Sequence, residues 1–370
     1  APRGIMAINK APVLMKLMSV CPLPDLELER LLTHLRAYLL STVSSLDKTS
    51  PELLKFLSAL ALQCFTNEYI YNQTKDEENL LLSLEETVKK VLKTNKQPSP
   101  ETILVLASYK ALNQYNWSNL LAVTKDLRSV IIRQIEEPQK ELELRSDIPM
   151  LREITDKISS KVREQYEESP YPRWVNLGLT LQPKPIAKVV NDSEIKLYDP
   201  SIITIEKPRI LIAGCGTGQH SIETAVRFKS SKVFAIDLSL SSLAYAKRKT
   251  QELSLENIEY MQADILDLVN LNMKFDIVES TGVLHHMNDP LAGWQVLTDC
   301  LKSGGLMKIG LYSELARQQI FKIRKEIKKL GLGSSNSEMK FFRDILIGSK
   351  KYDDKTLFGS GDFYSLSTLK

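Results

Sequence analysis

Three glycines at alternate positions, Gly214, Gly216 and Gly218, follow an apolar run that begins at Ile210. Glycines after a strand permit a tight turn and a close approach of main chain to a ligand, because positive φ costs them nothing. The spacing is G-x-G-x-G, whereas the dinucleotide fingerprint is G-x-G-x-x-G, and its third position is Gln219 here. That difference disfavours a pyrophosphate on the following helix and suits a nucleoside that carries an amino-acid tail. Two carboxylates extend the pattern. Asp237 ends the next apolar run, about 20 residues past the turn, where an acid accepts from ribose hydroxyls and repels a 2′-phosphate. Asp264 ends the third run, in Met-Gln-Ala-Asp, placed to accept from an exocyclic adenine amine. The glycine turn alone could be structural, and either aspartate alone could cap a helix. The ordered series, one polar site at each successive strand end, matches the edge at which open α/β sheets bind ligands.

Two further groups of residues could do chemistry. His285 and His286 follow the fourth apolar run. His285 is the candidate general base or orienter, and wall packing or helix capping is the alternative. Adjacent histidines cannot both point at one ion unaided and no third ligand is evident, so no metal is expected. Tyr166, Tyr171, Arg173 and Trp174 form a second patch. It could close over a ligand, with Tyr171 and Arg173 on the substrate side and Arg173 pairing a carboxylate. It could equally be a proline-stiffened linker whose aromatics pack two domains together.

These residues need elements to hold them. Residues 24–170 read as helix throughout: Leu28, Leu31, Leu32, Leu35 and Leu39 share one helical face, and Ser50-Pro51 and Ser99-Pro100 are helix starts. From Pro208 the pattern changes to RILIAG, KVFAID, IEYMQAD, KFDIVEST and GLMKIGLY as strands, with helices SIETAVRF, SSLAYAKRKTQEL and PLAGWQVLTDCLK between them. Alternating β and α elements predict a Rossmann-like, doubly wound parallel sheet. The division is therefore an all-helical domain over 1–165, a Pro/aromatic-rich linker over 166–207, an α/β domain over 208–312, and a basic helix with a polar tail over 313–370.

The series AGCGTG, AID, QADILDL, FDIVESTGVLHHM and LKSGGLMKIGLYS resembles the class I S-adenosylmethionine-dependent methyltransferases. The resemblance covers about 105 residues and implies S-adenosylmethionine as cofactor. It also implies that Gly214, Cys215, Gly216 and Gly218 line the methionine and ribose, and that Asp237 with Leu238 holds the ribose. Asp264 and Ile265 would frame the adenine, and Glu279, Ser280 and Thr281 would lie under the cofactor. The stretch VREQYEESPYPRW is similar to bacterial methyltransferases that carry tetratricopeptide repeats upstream. Sheets of this class have seven strands, the last antiparallel. Only five are evident, and the chain runs from Ala1 to Lys370. The expectation is a fragment or processed product whose final strands are missing, which would leave the fifth strand an unprotected edge.

Composition sets outer bounds. The chain of 370 residues is 43% hydrophobic and 25% charged, as soluble globular proteins are. A net charge of +4 is too weak to argue for nucleic acid or an anionic membrane. No apolar run reaches the roughly 20 residues of a membrane helix. The four scattered cysteines are expected reduced, in a cytoplasmic protein. The expected reaction is methyl transfer to a small-molecule acceptor, with a protein partner engaging the helical domain. The rival readings are an NAD-dependent oxidoreductase or epimerase, which Gln219 argues against, and a partner-binding helical module on a methyltransferase scaffold.

Overall fold

In the run Arg209–Ala213, alternate side chains leave the backbone on opposite sides, and both sides are apolar. A strand of this kind must be covered on both faces. The computed structural model describes residues 2–45, 49–179, 182–333, 335–349 and 358–369. Residues 180–181 of the Pro/aromatic segment and 350–357 of the tail lie outside those described. Two compact units result: Ala1–Gln139 with Ile323–Lys370, and Lys140–Lys322.

The second unit holds a five-stranded sheet among the described residues: β1 (Arg209–Ala213), β2 (Lys232–Asp237), β3 (Ile258–Gln262), β4 (Phe275–Thr281) and β5 (Leu301–Gly310). All pairings are parallel, in the order β3-β2-β1-β4-β5. Ile210 and Ile212 of β1 face one apolar layer with Val233, Ala235 and Ile277. Leu211 and Ala213 face the other with Phe234, Ile236 and Phe275. The helices Gln219–Arg227 and Leu240–Glu252 cover the first face and Pro290–Cys300 the second. The direction of winding reverses between β1 and β4, which is where such sheets bind ligands.

Three departures from the sequence reading have clear causes. β5 begins at Leu301, inside the stretch read as helix, because the helix stops at Cys300 and a register shift carries the chain past Phe275 and Ile277. The helical reading of 24–170 also fails over 108–127, where turns and two short 3-10 pieces replace the α-helix, and over 148–156. Pro149 has no N–H to continue a helix. Its carbonyl accepts from Gln262 N at 2.9 Å, and Leu151 N donates to Gln262 O at 2.9 Å, so Met150 lies parallel to the outer edge of β3. Helix resumes at Lys157–Glu168, capped by the Asp156 carboxylate on Ile158 N and Ser159 N. Finally, the compact units divide at 139/140 and 322/323, where the sequence places boundaries at 165/166, 207/208 and 312/313. Leu144, Ile148, Ile186, Val190 and Ile202 are buried in the core of the sheet, while Met339 and Leu366 are buried with the helices of the first unit.

The first unit is helical. Leu26–Thr42, Pro51–Thr66, Lys75–Lys93 and Pro100–Ala107 bury a core that includes Leu32, Phe56, Leu60, Ile103 and Leu106. Two of its buried polar side chains, Gln134 and Arg343, are satisfied across helices. Gln134 accepts from Leu112 N at 3.0 Å and donates to the carbonyls of Ala61 and Ala107. Arg343 forks onto Glu29 at 2.7 and 2.6 Å and donates through Nε to Phe363 O. No helix among the described residues is long and apolar enough to cross a membrane.

Asp276, 2% exposed, joins three strands: it accepts from Arg209 N at 2.8 Å and from Lys302 Nζ at 2.7 Å. Asp276→Ala removes the acceptor of the Arg209 N–H and the partner of Lys302, and should cost about 1–3 kcal/mol in urea unfolding. Asp276→Asn keeps an acceptor oxygen and should recover part of that loss.

Candidate functional site

The glycine turn is built by backbone geometry. Gly214, Gly216 and Gly218 have φ of 75°, 52° and 87°. Each glycine is demanded by a different neighbour. A Cβ at Gly214 would lie 2.3 Å from Val283 Cγ2, one at Gly216 would lie 2.6 Å from the Tyr171 carbonyl oxygen, and one at Gly218 would lie 2.6 Å from Ala246 Cβ. Gly218 thus serves the packing of the helix Gln219–Arg227 against the helix Leu240–Glu252. Close approach at Gly216 is made by the protein's own chain.

The turn is clamped from below by Asp237. One carboxylate oxygen accepts from Gly216 N at 2.7 Å and the other from Ser239 N at 2.9 Å. Burial pushes this carboxyl above the ordinary aspartate range, while the backbone donors pull it down. It is clamped from above by the segment after the helix Lys157–Glu168. Thr217 Oγ1 donates to Pro172 O, Trp174 Nε1 donates to Thr217 O at 3.2 Å, and Tyr245 Oη donates to Trp174 O. The helix itself is docked by Glu167, whose carboxylate accepts from Leu240 N at 2.5 Å and Ser241 N at 3.2 Å. Those are orphan donors of a helix N-terminus, where an anion is favoured.

Between these elements lies a cavity of about 490 Å³. Its floor is Gly214, Cys215 and Gly216, with Asp237, Leu238, Asp264, Ile265 and Thr281 at the strand ends. Of the residues that the sequence singles out, Tyr171 also stands on this wall. Gly218, Glu279, Ser280, Arg173 and His285 do not. Ser280 Oγ donates to Ala213 O at 3.0 Å, inside the sheet. Asp264 also caps the turn after β3, accepting from Leu266 N at 2.9 Å.

Tyr166, of the aromatic patch, also reaches the wall, and two residues that the sequence reading passed over, Ser159 and Val162, share its face of the helix Lys157–Glu168. Their spacing of three and four was a usable signal, but the helix is polar enough to read as solvated. His286 reaches the wall in place of His285, and Lys308 and Tyr312 come from the end of β5 and beyond. His285 instead packs, with tilted rings, between His286 at 4.3 Å and Tyr312 at 4.0 Å, with neither ring nitrogen hydrogen-bonded. Burial, with the charges of His286 and Arg317, pushes it down to about 4.

The cavity suits a nucleoside with a short tail. Its volume is within the range of small-ligand sites. Two carboxylates stand at adjacent strand ends, and Ser242 Oγ, on the same wall, is buried without a partner. Residues 210–305 match the methyltransferase domain family. A protein of Synechococcus described as uncharacterized is 36% identical over 125 residues, 34% of this chain and 30% of that one. A putative methyltransferase of Bacillus subtilis is 31% identical over 120 residues, 31% of this chain and 47% of the relative. The chain therefore spans less than half the length of these curated relatives. A crystal structure of an S-adenosylmethionine-dependent methyltransferase from Clostridium acetobutylicum aligns at a TM-score of 0.27 and 23% identity, covering 34% of this chain and 46% of that one.

Gly216→Ala should push the Tyr171 carbonyl aside and loosen the 171–174 segment. Trp174, 8% exposed, would then enter water, and its emission should shift to the red. An unchanged spectrum would mean that the segment does not rest on the turn. His285 yields a pH effect of defined sign. Its folded pKa lies below the ordinary value, so the unfolded chain binds more protons between about pH 4 and 6.5, and stability falls as pH drops through that window. His285→Gln should flatten the acid side of a Tm-against-pH curve relative to wild type.

Proposed function

We propose that this chain transfers the methyl group of S-adenosylmethionine, held in the cavity of its methyltransferase domain, to a small-molecule acceptor. The observation that carries the reading is the pair of strand-end carboxylates, Asp237 and Asp264, on the wall of one cavity floored by the glycine turn. Asp237 keeps a free lone pair on each oxygen after accepting from Gly216 and Ser239, enough to receive two ribose hydroxyls. Asp264 and Ile265 are disposed to frame an adenine, and Leu238 and Cys215 to pack on the nucleoside. Gly214 and Gly216 line the floor, where the tail would lie. Thr281 stands at the β4 end of the wall.

The bound cofactor would supply an already activated methyl group on a sulfonium. The protein's work is then to orient the acceptor, exclude water and take up a proton where the acceptor carries one. Tyr166, Tyr171, Tyr312 and His286 put aromatic rings on the wall. That supports a compact organic acceptor over a nucleic-acid backbone, whose phosphates call for clustered cations. The helical unit would offer a surface to a protein partner, a reading that rests on the resemblance to repeat-bearing methyltransferases.

Calorimetric titration with S-adenosylhomocysteine and with NAD, side by side, tests the reading. Asp237→Ala should weaken S-adenosylhomocysteine by about 1.5–3 kcal/mol, the worth of hydrogen bonds to a charged group. Asp237 also braces Gly216, so a 2′-deoxy analogue on wild type is the cleaner probe. Equal affinity for the analogue and the parent would exclude a ribose contact, and tighter binding of NAD would favour the dehydrogenase alternative.

A further inference from the structure

We propose that His220, held by Glu279, is the proton acceptor of this cavity. The proposal rests on the methyl-transfer reading above.

Glu279 sits near the end of β4 but faces away from the wall, 4% exposed. Its Oε2 accepts from His220 Nε2 at 2.6 Å and from Thr224 Oγ1 at 2.9 Å. Arg227 Nη1 is 4.0 Å from Oε1, and Lys308 is its register partner on β5. Burial pulls this carboxyl up, but the His220 hydrogen bond, His220, Lys308 and Thr224 together hold it below the ordinary glutamate value. Glu279 is therefore an anion and can only accept. His220 Nε2 must then carry the hydrogen, and in the neutral ring the lone pair is on Nδ1. Among the described residues no hydrogen bond engages Nδ1, and the ring stands on the cavity wall with the side chain 20% exposed.

This is the arrangement of an oriented base: a buried carboxylate fixes the tautomer and stabilises the imidazolium that forms when the other nitrogen takes a proton. His285 has neither feature, since both of its nitrogens lack a partner. In the reaction, an acceptor O–H or N–H gives its proton to Nδ1. The electron pair left behind forms the bond to the transferred carbon, and the pair of the broken C–S bond stays on sulfur as a neutral thioether. Glu279 touches no reacting atom and is a positioning residue.

The test uses the full-length chain, wild type, His220→Asn and Glu279→Gln. Nitrogen NMR of histidine-labelled protein should show His220 with its hydrogen on Nε2, and Glu279→Gln should mix the tautomers. With saturating methyl-labelled S-adenosylmethionine and the small-molecule fraction of a cell extract, His220→Asn should lower incorporation on the order of 10²-fold. Calorimetric affinity for S-adenosylhomocysteine should stay unchanged. A hydrogen on Nδ1, or incorporation undiminished in His220→Asn, overturns the proposal. So does a tenfold loss of S-adenosylhomocysteine affinity in His220→Asn, which would make His220 a cofactor grip. Failure of wild type to bind S-adenosylhomocysteine would instead sink the methyl-transfer reading, and the tautomer would still report on the pairing.

Discussion

The 2.7 Å hydrogen bond from Gly216 N to the Asp237 carboxylate joins the two halves of the site. It ties the turn after β1 to the end of β2, so the main chain at the centre of the cavity floor cannot move independently of the sheet. A peptide N–H held by a carboxylate is a charge-assisted bond, stronger than one between neutral groups. The positive φ at Gly216 follows from the same constraint, because the chain must fold back within three residues to present that N–H downward.

On the clamped turn rests a second layer that is not part of the sheet. The Tyr171 carbonyl sits so close to Gly216 that no side chain fits between them. Thr217 and Tyr245 donate to carbonyls of that segment, and its Trp174 ring donates to Thr217 O. Glu167 docks the preceding helix by serving the free N–H groups of the helix Leu240–Glu252. The segment over the turn is thus held by hydrogen bonds to main chain and by a helix terminus. Such a wall can keep its position while its side chains, Tyr166 and Tyr171 among them, suit a particular acceptor.

Asp237 and Asp264 stand beyond β2 and β3, whereas His220 and Glu223 lie on the helix after β1 and Lys308 on β5, with Glu279 of β4 buried and bonded to His220. Acceptors of hydrogen bonds for a nucleoside are thereby separated from the groups able to handle a proton. The separation follows from strand order, because β1 and β4 are neighbours only through the reversal of winding.

The amino-acid sequence alone determined the five strands, the glycine turn and the two strand-end aspartates. Each is written in a local pattern: an apolar run, alternate glycines, an acid at the end of the run. It also determined the helical character of the first unit, whose apolar stripes repeat at helical spacing. Only the tertiary structure decided what stands over the turn and which histidine reaches the cavity. The pairing of His220 with Glu279 spans 59 positions, and that of Glu167 with Leu240 spans 73. Pro149 placed Met150 beside Gln262 of β3 at a still longer remove, where residues 24–170 read as helix. Periodicity carries no information over such separations. His285 and His286 differ only in which way the short turn Leu284–His286 directs each ring, and that direction is set by Tyr312 and Tyr166 packing against them. Residue type at one position cannot show where its neighbours will come from, and the wall of this cavity is made of such neighbours.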